Sequence, residues 1–383
     1  MKRSTERILT THTGSLPRPD DLVGMVEGRD QRELRSDPRF EARVKEAVAE
    51  IVQKQVAAGV AVVNDGEMSK VGYSTYVTER VTGFSEEESR PGRPQVEARD
   101  FPEFYRTRVT GGVALKRPVC VGPITWRGAA LVEQDLANLK AALAGVEVAE
   151  AFMTAASPGV VWQFLENDHY PSHEAYVFAV ADAIRHEYAA IHRAGFVLQV
   201  DCPDLAMGWN RYNFADATVD DFRKVVELHV EALNHALADV PSDRVRLHLC
   251  WGNFEGPHVR DIPLGSIFDI VLRARADAFS FEGANPRHEH EWKLFESLKL
   301  PEGKILIPGV LDSTTNFVEH PELVAERIVR YARLVGRENV IAGTDCGFST
   351  FARSALMVHP TVTWAKLQAM AEGARLASEQ LWR

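Results

Sequence analysis

The segment Arg246-Leu247-His248-Leu249-Cys250-Trp251-Gly252-Asn253 carries a histidine and a cysteine two residues apart at the end of a short apolar run. In a strand, residues i and i+2 share a face, so His248 and Cys250 point the same way at the strand's carboxyl end. The design recurs along the chain. Ala278-Phe279-Ser280-Phe281 closes on Glu282, and Ile341-Ala342-Gly343-Thr344 closes on Asp345-Cys346. Polar residues also end the runs that stop at Thr13-Gly14-Ser15, Asp65-Gly66-Glu67, Asp201 and Asp312. Chemistry-bearing side chains at the carboxyl ends of many strands are the pattern of a (β/α)8 TIM barrel, whose site is assembled from its βα loops.

Working outward, nine β-branched or apolar runs read as strands: Ile8–Thr13, Val60–Asn64, Val119–Ile124, Val148–Thr154, Phe196–Asp201, Val245–Cys250, Ala278–Glu282, Ile305–Val310 and Val340–Thr344. Helical periodicity fills most of the gaps, most clearly over Val219–Val240, where Thr218 or Asp220 is the expected cap. Glu174–Arg193, Pro321–Val335 and Val362–Leu381 read the same way. Strands alternating with helices imply parallel strands joined by crossovers. An open dinucleotide-binding sheet would carry a GxGxxG turn after an early strand, and Gly59-Val60-Ala61-Val62-Val63-Asn64-Asp65-Gly66-Glu67 is not one. Nine runs compete for eight barrel places; Val119–Ile124 is one candidate for the accessory strand, and the sequence does not settle which run it is.

The 383 residues, 45% hydrophobic and 26% charged, suffice for a large core, and residues 1–383 read as a single barrel. Ser85–Phe104, with Glu86-Glu87-Glu88 and Arg90-Pro91-Gly92-Arg93-Pro94, reads as an inserted polar loop around 85–104, and Gln163–Ser172 also breaks the alternation. A net charge of −10 argues against a non-specific nucleic-acid binder. No run approaches the ~20 apolar residues of a membrane span, and no apolar segment follows the charged amino terminus as in a secretory signal. A cytoplasmic, reducing location is the expectation. Four cysteines are too few for a disulfide framework, which leaves buried thiols or metal ligands.

A thiolate and an imidazole on one strand face suit Zn²⁺. Alone, His248 and Cys250 are better read as a buried thiol beside a hydrogen-bonded histidine. With Glu282 and Cys346 from two further strand ends they would make an N/S/S/O site; otherwise Glu282 is a supporting or surface carboxylate and Cys346 a small core residue. His288 and His290 are rival ligands, expected to be exposed in the loop beyond Asn285-Pro286, while Cys120 and Cys202 read as structural.

These motifs resemble the catalytic barrel of the cobalamin-independent methionine synthase family over nearly the whole chain. Thr10-Thr11-His12-Thr13-Gly14-Ser15-Leu16-Pro17 is similar to its TTxxGSxP motif, Asp65-Gly66-Glu67-Met68 to its HGE segment, and Gln199-Val200-Asp201-Cys202-Pro203 to QxDEP. His248-Leu249-Cys250 resembles its HxC pair and Asp345-Cys346-Gly347 its final DCG. The resemblance implies a barrel of the methionine synthase/uroporphyrinogen decarboxylase type, with zinc on His248, Cys250, Glu282 and Cys346. It further implies that Gly14 and Ser15 bind the carboxylate of homocysteine, that Glu67 and Asp201 hold its amino group, and that Trp162 lies near a folate-stacking position. Ser15 also reads as a turn residue, Asp201 as a structural partner, and Trp162 as a core or rim residue.

The chain departs from the family pattern at three points. It spans one barrel of the two in the full-length enzyme. Trp251-Gly252-Asn253 replaces a further cysteine after HxC. Thr314 stands near the family's general-acid histidine, after Gly309-Val310-Leu311-Asp312-Ser313, which leaves His12, Asp312 or water to supply a proton. The expected activity is zinc-dependent methyl transfer to homocysteine. The partners are then a small thiol and a methyl or alkyl donor, with a homo-oligomer admitted by family analogy. The alternative is thiol transfer to an epoxide or other carbon electrophile, as in epoxyalkane:coenzyme M transferases, and a non-catalytic thiol-binding barrel is the third reading.

Overall fold

A computed structural model describes residues 1–383 apart from 27–33, 35–36, 91–94, 110–116, 212–215 and 353–355. Eight parallel strands form one sheet in the order β1 (Leu9–Thr10), β10 (Ile341–Thr344), β9 (Ile305–Leu311), β8 (Ala278–Phe281), β7 (Val245–Leu249), β6 (Val197–Asp201), β5 (Glu150–Ala156) and β2 (Val62–Val63). The ring closes between β1 and the entry to β2, where Ala61 N–H donates to the Thr10 carbonyl at 3.1 Å and the Thr11 hydroxyl donates to that of Val62 at 3.0 Å. The result is a (β/α)8 barrel. Its long helices are α1 (Pro38–Ala57), α2 (Ala129–Ala142), α3 (His173–Arg193), α4 (Val219–Ala236), α5 (Pro321–Val335) and α6 (Pro360–Leu381). Helices outside and side chains inside bury both strand faces, so β6 and β7 are buried at every residue.

The α4 start follows local chemistry. Thr218 caps it, its hydroxyl accepting from Asp221 N–H while the Asp221 carboxylate accepts from Thr218 N–H, both at 3.2 Å. The helix stops at Ala236, short of the apolar periodicity; Leu237 and Val240 are buried in the turn that follows. Val119–Ile124 contributes the accessory strand: β4 (Pro118–Cys120) pairs antiparallel with β3 (Phe84–Ser89) outside the ring. The stretch read as a polar loop around 85–104 thus holds a strand, and also a helical turn at Val96–Arg99. A two-stranded ribbon leaves Glu86, Glu87 and Glu88 exposed, so it lacks the apolar alternation by which a strand is recognised. Among the described residues no helix is long and apolar enough to cross a membrane.

Register aligns the site. Asp201 pairs with His248 and His248 with Ser280, which places three polar side chains in one row across β6, β7 and β8. Gln199 and Arg246 form the row beneath. Arg246 is fully buried and donates to Thr11 Oγ1 at 2.9 Å and to the His12 carbonyl at 2.8 Å, tying the barrel interior to the end of β1.

A buried ion cluster locks the helical layer on one side. Arg80 is inaccessible, and its guanidinium bonds Glu187 of α3 and, at 2.5 Å, Asp135 of α2. Tyr76 donates to Glu187 at 3.1 Å and accepts from Ala156 N–H of β5 at 3.0 Å. Removing the arginine leaves two desolvated carboxylates without their cation. Arg80→Met should lower unfolding free energy by about 3–5 kcal/mol in urea titrations. A loss below about 1 kcal/mol, the range of an exposed pair, would show that the cluster contributes little.

Candidate active site

His248 Nε2, Cys250 Sγ and Cys346 Sγ lie within 4.8 Å of one another at the carboxyl ends of β7 and β10. Ser280 Oγ is 3.1 Å from His248 Nδ1, and Nε2 is 3.7 Å from Cys346 Sγ. A proton on Nδ1 shared with the hydroxyl leaves the Nε2 lone pair for the cluster. Burial, aided by Arg246, pushes the imidazole down to about 3, so the ring is neutral near pH 7. Burial, followed by Cys250, pushes the Cys346 thiol up. Glu282, one residue beyond β8, brings Oε1 to 3.8 Å from Cys346 Sγ. The Trp251 amide and Asn285 Nδ2 donate to its carboxylate at 2.9 and 2.7 Å. Behind it, Asp345 accepts from the amides of Gly283, Ala284 and Asn285 at 2.8–2.9 Å and so braces that turn. Two thiols, an imidazole and a carboxylate, buried together, fit the donors and coordination number of zinc. A zinc ion there would offset the burial that pushes the Cys346 thiol up.

Two cavities flank the cluster, and Asn253 lines both. The first, of about 50 Å³, is bounded by the thiols, Ser15, Glu67, Tyr73 and Asp201. Glu67 adopts a left-handed backbone (φ 60°); Thr154 donates to its Oε1 at 2.9 Å, while Oε2 is buried without a hydrogen-bond partner. Burial and then the Glu67 charge hold Asp201 up to about 8, although Gln199 donates to it at 2.7 Å. Two adjoining carboxylates, one with an unpaired oxygen, suit a cationic guest. Gly14 has no room for a side chain: a Cβ there would lie 2.8 Å from Glu67 Oε1 and 2.7 Å from Thr154 Cγ2. A Cβ at Gly347 would sit 2.1 Å from Ser15 Oγ, so this glycine gives that hydroxyl its place.

The second cavity, of about 360 Å³, lies on the Glu282 side and includes Asp312, Ser313, Thr314 and His258. Thr314 N–H, Thr314 Oγ1 and Thr315 Oγ1 donate to the Asp312 carboxylate at 2.9, 2.8 and 2.6 Å. That makes Asp312 an ordered acceptor in the cavity wall.

Two predicted residues lie away from both cavities. His12 turns toward α1, donating from Nε2 to Gln55 Oε1 at 2.8 Å, and burial pushes it down to about 4. As a neutral ring engaged with a helix, it has no proton aimed at the mouth. Trp162, on the helix Pro158–Phe164, stacks on His173 at 4.1 Å and meets His229 edge-on, an interhelical contact. His290 is exposed as expected, whereas His288 is buried, stacked at 3.8 Å on Trp251. Its imidazole packs under the loop that follows β7, a long-range contact with no trace in local polarity. Sequence reading also missed Asn253, Tyr73 and the His258–Asp261 pair; the i, i+3 spacing of His258 and Asp261 was the available signal.

Comparison with known proteins agrees with this fold. The family model described as "Cobalamin-independent synthase, Catalytic domain" matches residues 8–375. The chain is 26% identical to the methionine synthase of Saccharolobus solfataricus, over 98% of this chain and 96% of that one. It is 24% identical to the 2-hydroxypropyl-CoM lyase of Xanthobacter autotrophicus, over 90% of this chain and 88% of that one. The solved B12-independent methionine synthase from Shewanella sp. W3-18-1 shares the fold with a TM-score of 0.74, at 19% identity and covering 98% of this chain and 99% of that one. With a match from the first barrel strand to the last helix, the chain belongs to the cobalamin-independent synthase family, through its catalytic domain.

Proposed function

We propose that this protein transfers a methyl group from a carbon donor to the sulfur of homocysteine, with residues 1–383 acting as one catalytic barrel and zinc as its resident metal. The observation that carries this reading is a thiol cluster that opens on one cavity, beside Glu67 and Asp201, while Glu282 next to it borders a second. One is polar and anionic enough for an amino-acid thiol, and the other has room for the donor. His248, Cys250, Glu282 and Cys346 are the proposed zinc ligands. When bound, zinc supplies the charge that keeps a substrate thiol deprotonated, where a free thiol of pKa about 8.5 is mostly protonated at neutral pH. Glu67 Oε2 and Asp201 take the ammonium, and Ser15 with the backbone at Gly14 takes the carboxylate. An amino-acid thiol held there would present its sulfur beside the thiol cluster for in-line attack on carbon.

The methionine synthases among the relatives support this assignment. The 2-hydroxypropyl-CoM lyase supports the alternative, in which another thiol attacks an epoxide. A sulfonate thiol calls for arginine or lysine at its anion. The described lining of the first cavity holds neither, while it does hold Glu67 and Asp201, which favours an amino-acid thiol.

Elemental analysis of the purified protein should give one zinc per chain, falling to background in the Cys250→Ser, Cys346→Ser double variant; zinc retained there would remove the site. Glu67→Gln should weaken homocysteine about 10- to 150-fold, the worth of a charged hydrogen bond. The same change should alter binding of 4-mercaptobutyrate, which lacks the amine, by less than about threefold, since no such bond is lost. Competition binding of the two thiols checks this, and equal losses would take the ammonium role from Glu67.

A further inference from the structure

Sulfur attack on a methylamine or an epoxide leaves an electron pair on nitrogen or oxygen, and that atom needs a proton. His12 points away from the mouth, and Asp312 is ordered by three donors. The second cavity offers one histidine among its lining residues, His258. Its other titratable lining groups are poorly suited to the task. Glu282 is engaged by Trp251 and Asn285 beside the thiols, Glu255 is exposed, and an arginine such as Arg287 stays protonated.

His258 is built into its position. It is one of two described non-glycine residues with a left-handed backbone (φ 55°), Glu67 being the other. Its Nδ1 is 2.7 Å from Asp261 Oδ2, and its Nε2 donates to the Phe254 carbonyl at 3.0 Å. The Asp261 side chain is 1% exposed, whereas that of His258 keeps 11%. His288 Nε2 also reaches Asp261 Oδ2, at 3.1 Å. From the accessory excursion, buried Glu97 accepts the backbone N–H groups of His258 and Arg260 at 3.2 and 3.3 Å, and that of Val259. Arg260 pairs with Asp100 at 2.6 Å, so the excursion clamps the loop that carries His258.

We propose that His258 is the general acid of this site, with Asp261 as its positioning residue and Glu97 holding its loop. As the sulfur–carbon bond forms, the bond from that carbon to its leaving nitrogen or oxygen breaks. The electron pair stays on the leaving atom, and the proton on His258 Nε2 moves from the Phe254 carbonyl onto that atom. The imidazole ends neutral, still held through Nδ1 by Asp261, and regains its proton from water. The charged surroundings agree. Burial alone would depress His258, but the Asp261 hydrogen bond and charge, with a smaller share from the Phe254 carbonyl, hold it above its usual range. His288, held up to about 9 by the same carboxylate and Glu291 against the burial that opposes it, helps keep Asp261 ionised despite its burial. The proposal rests on the alkyl-transfer reading above.

Two classes of donor separate the role from a structural one. Methyl iodide releases iodide, which needs no proton; 5-methyltetrahydrofolate and propylene oxide release an amine and an alkoxide, which do. His258→Asn, chosen because asparagine tolerates the left-handed backbone, should cut kcat/KM roughly 10²- to 10⁴-fold for the proton-requiring donors. Its loss with methyl iodide should be at least about tenfold smaller, because no proton is transferred in that reaction. With the proton-requiring donor, the wild-type rate should fall as pH rises through the His258 pKa. Asp261→Asn should move that limb to lower pH, and His258→Asn should abolish it. Equal losses with both classes, or a limb that survives in His258→Asn, would overturn the proposal. Nitrogen-15 NMR of labelled imidazoles gives a readout without turnover: His258 should keep its proton to a higher pH in the wild type than in Asp261→Asn. A His258 that loses its proton at the same pH in both would overturn the role whatever the activity. Wild-type protein inert with every donor, yet with a His258 that loses its proton at lower pH in Asp261→Asn, would instead count against the alkyl-transfer reading on which the role rests.

Discussion

Closing eight parallel strands into one ring brings their carboxyl ends to a single mouth, and the chemistry of this protein depends on that convergence. The closure is slight: β1 and β2 are two residues each and meet through the Thr10–Ala61 bond and the Thr11 hydroxyl. Yet it brings Ser15 from the first strand to Gly347 beyond the last. Parallel register then does the fine placement, setting Asp201 beside His248 and His248 beside Ser280.

The mouth gathers more buried negative potential than its own side chains neutralise. Asp201 is held up to about 8 and Asp345 to about 7, each first by burial and then by a neighbouring carboxylate, Glu67 or Glu282. Away from the mouth, buried Arg80 lies among Asp135, Glu187 and Glu79, a cluster that ties helices together and lines no described cavity. Anions left short of cations at the mouth are a standing demand for positive charge. In the proposed function, a metal at the thiols and an ammonium at Glu67 and Asp201 would answer it at two adjacent points.

Much of this was legible along the chain. Apolar β-branched runs ending on polar residues marked every barrel strand, because a strand buried on both faces has nowhere to put polarity except its ends. His248, Cys250, Glu282 and Cys346 stood at such ends for the same reason, whereas which of the nine runs lies outside the ring was decided only by the fold. The polar excursion hid its strand because a ribbon exposed on both faces carries no apolar period. His12 follows the first strand within a motif and so resembled a mouth residue, but its ring turns toward Gln55 of α1. His288 looked like a surface histidine and His258 drew no reading, since their surroundings come from Asp261, Trp251 and Glu97, and Glu97 is more than 150 residues away in sequence.

By itself, then, the sequence determined the barrel class, the strand ends that carry chemistry and the chemical character of the thiol–imidazole–carboxylate set. These depend on periodicity and residue type, which are local. Tertiary structure alone decided which side chains share a cavity. It separated His12 and Trp162 from the mouth, joined Asn253 to both cavities, and assembled the His258–Asp261–His288 group beneath the excursion. The physical reason is that side-chain direction and desolvation are set by neighbours brought from distant parts of the chain, and no local pattern encodes which neighbours those are.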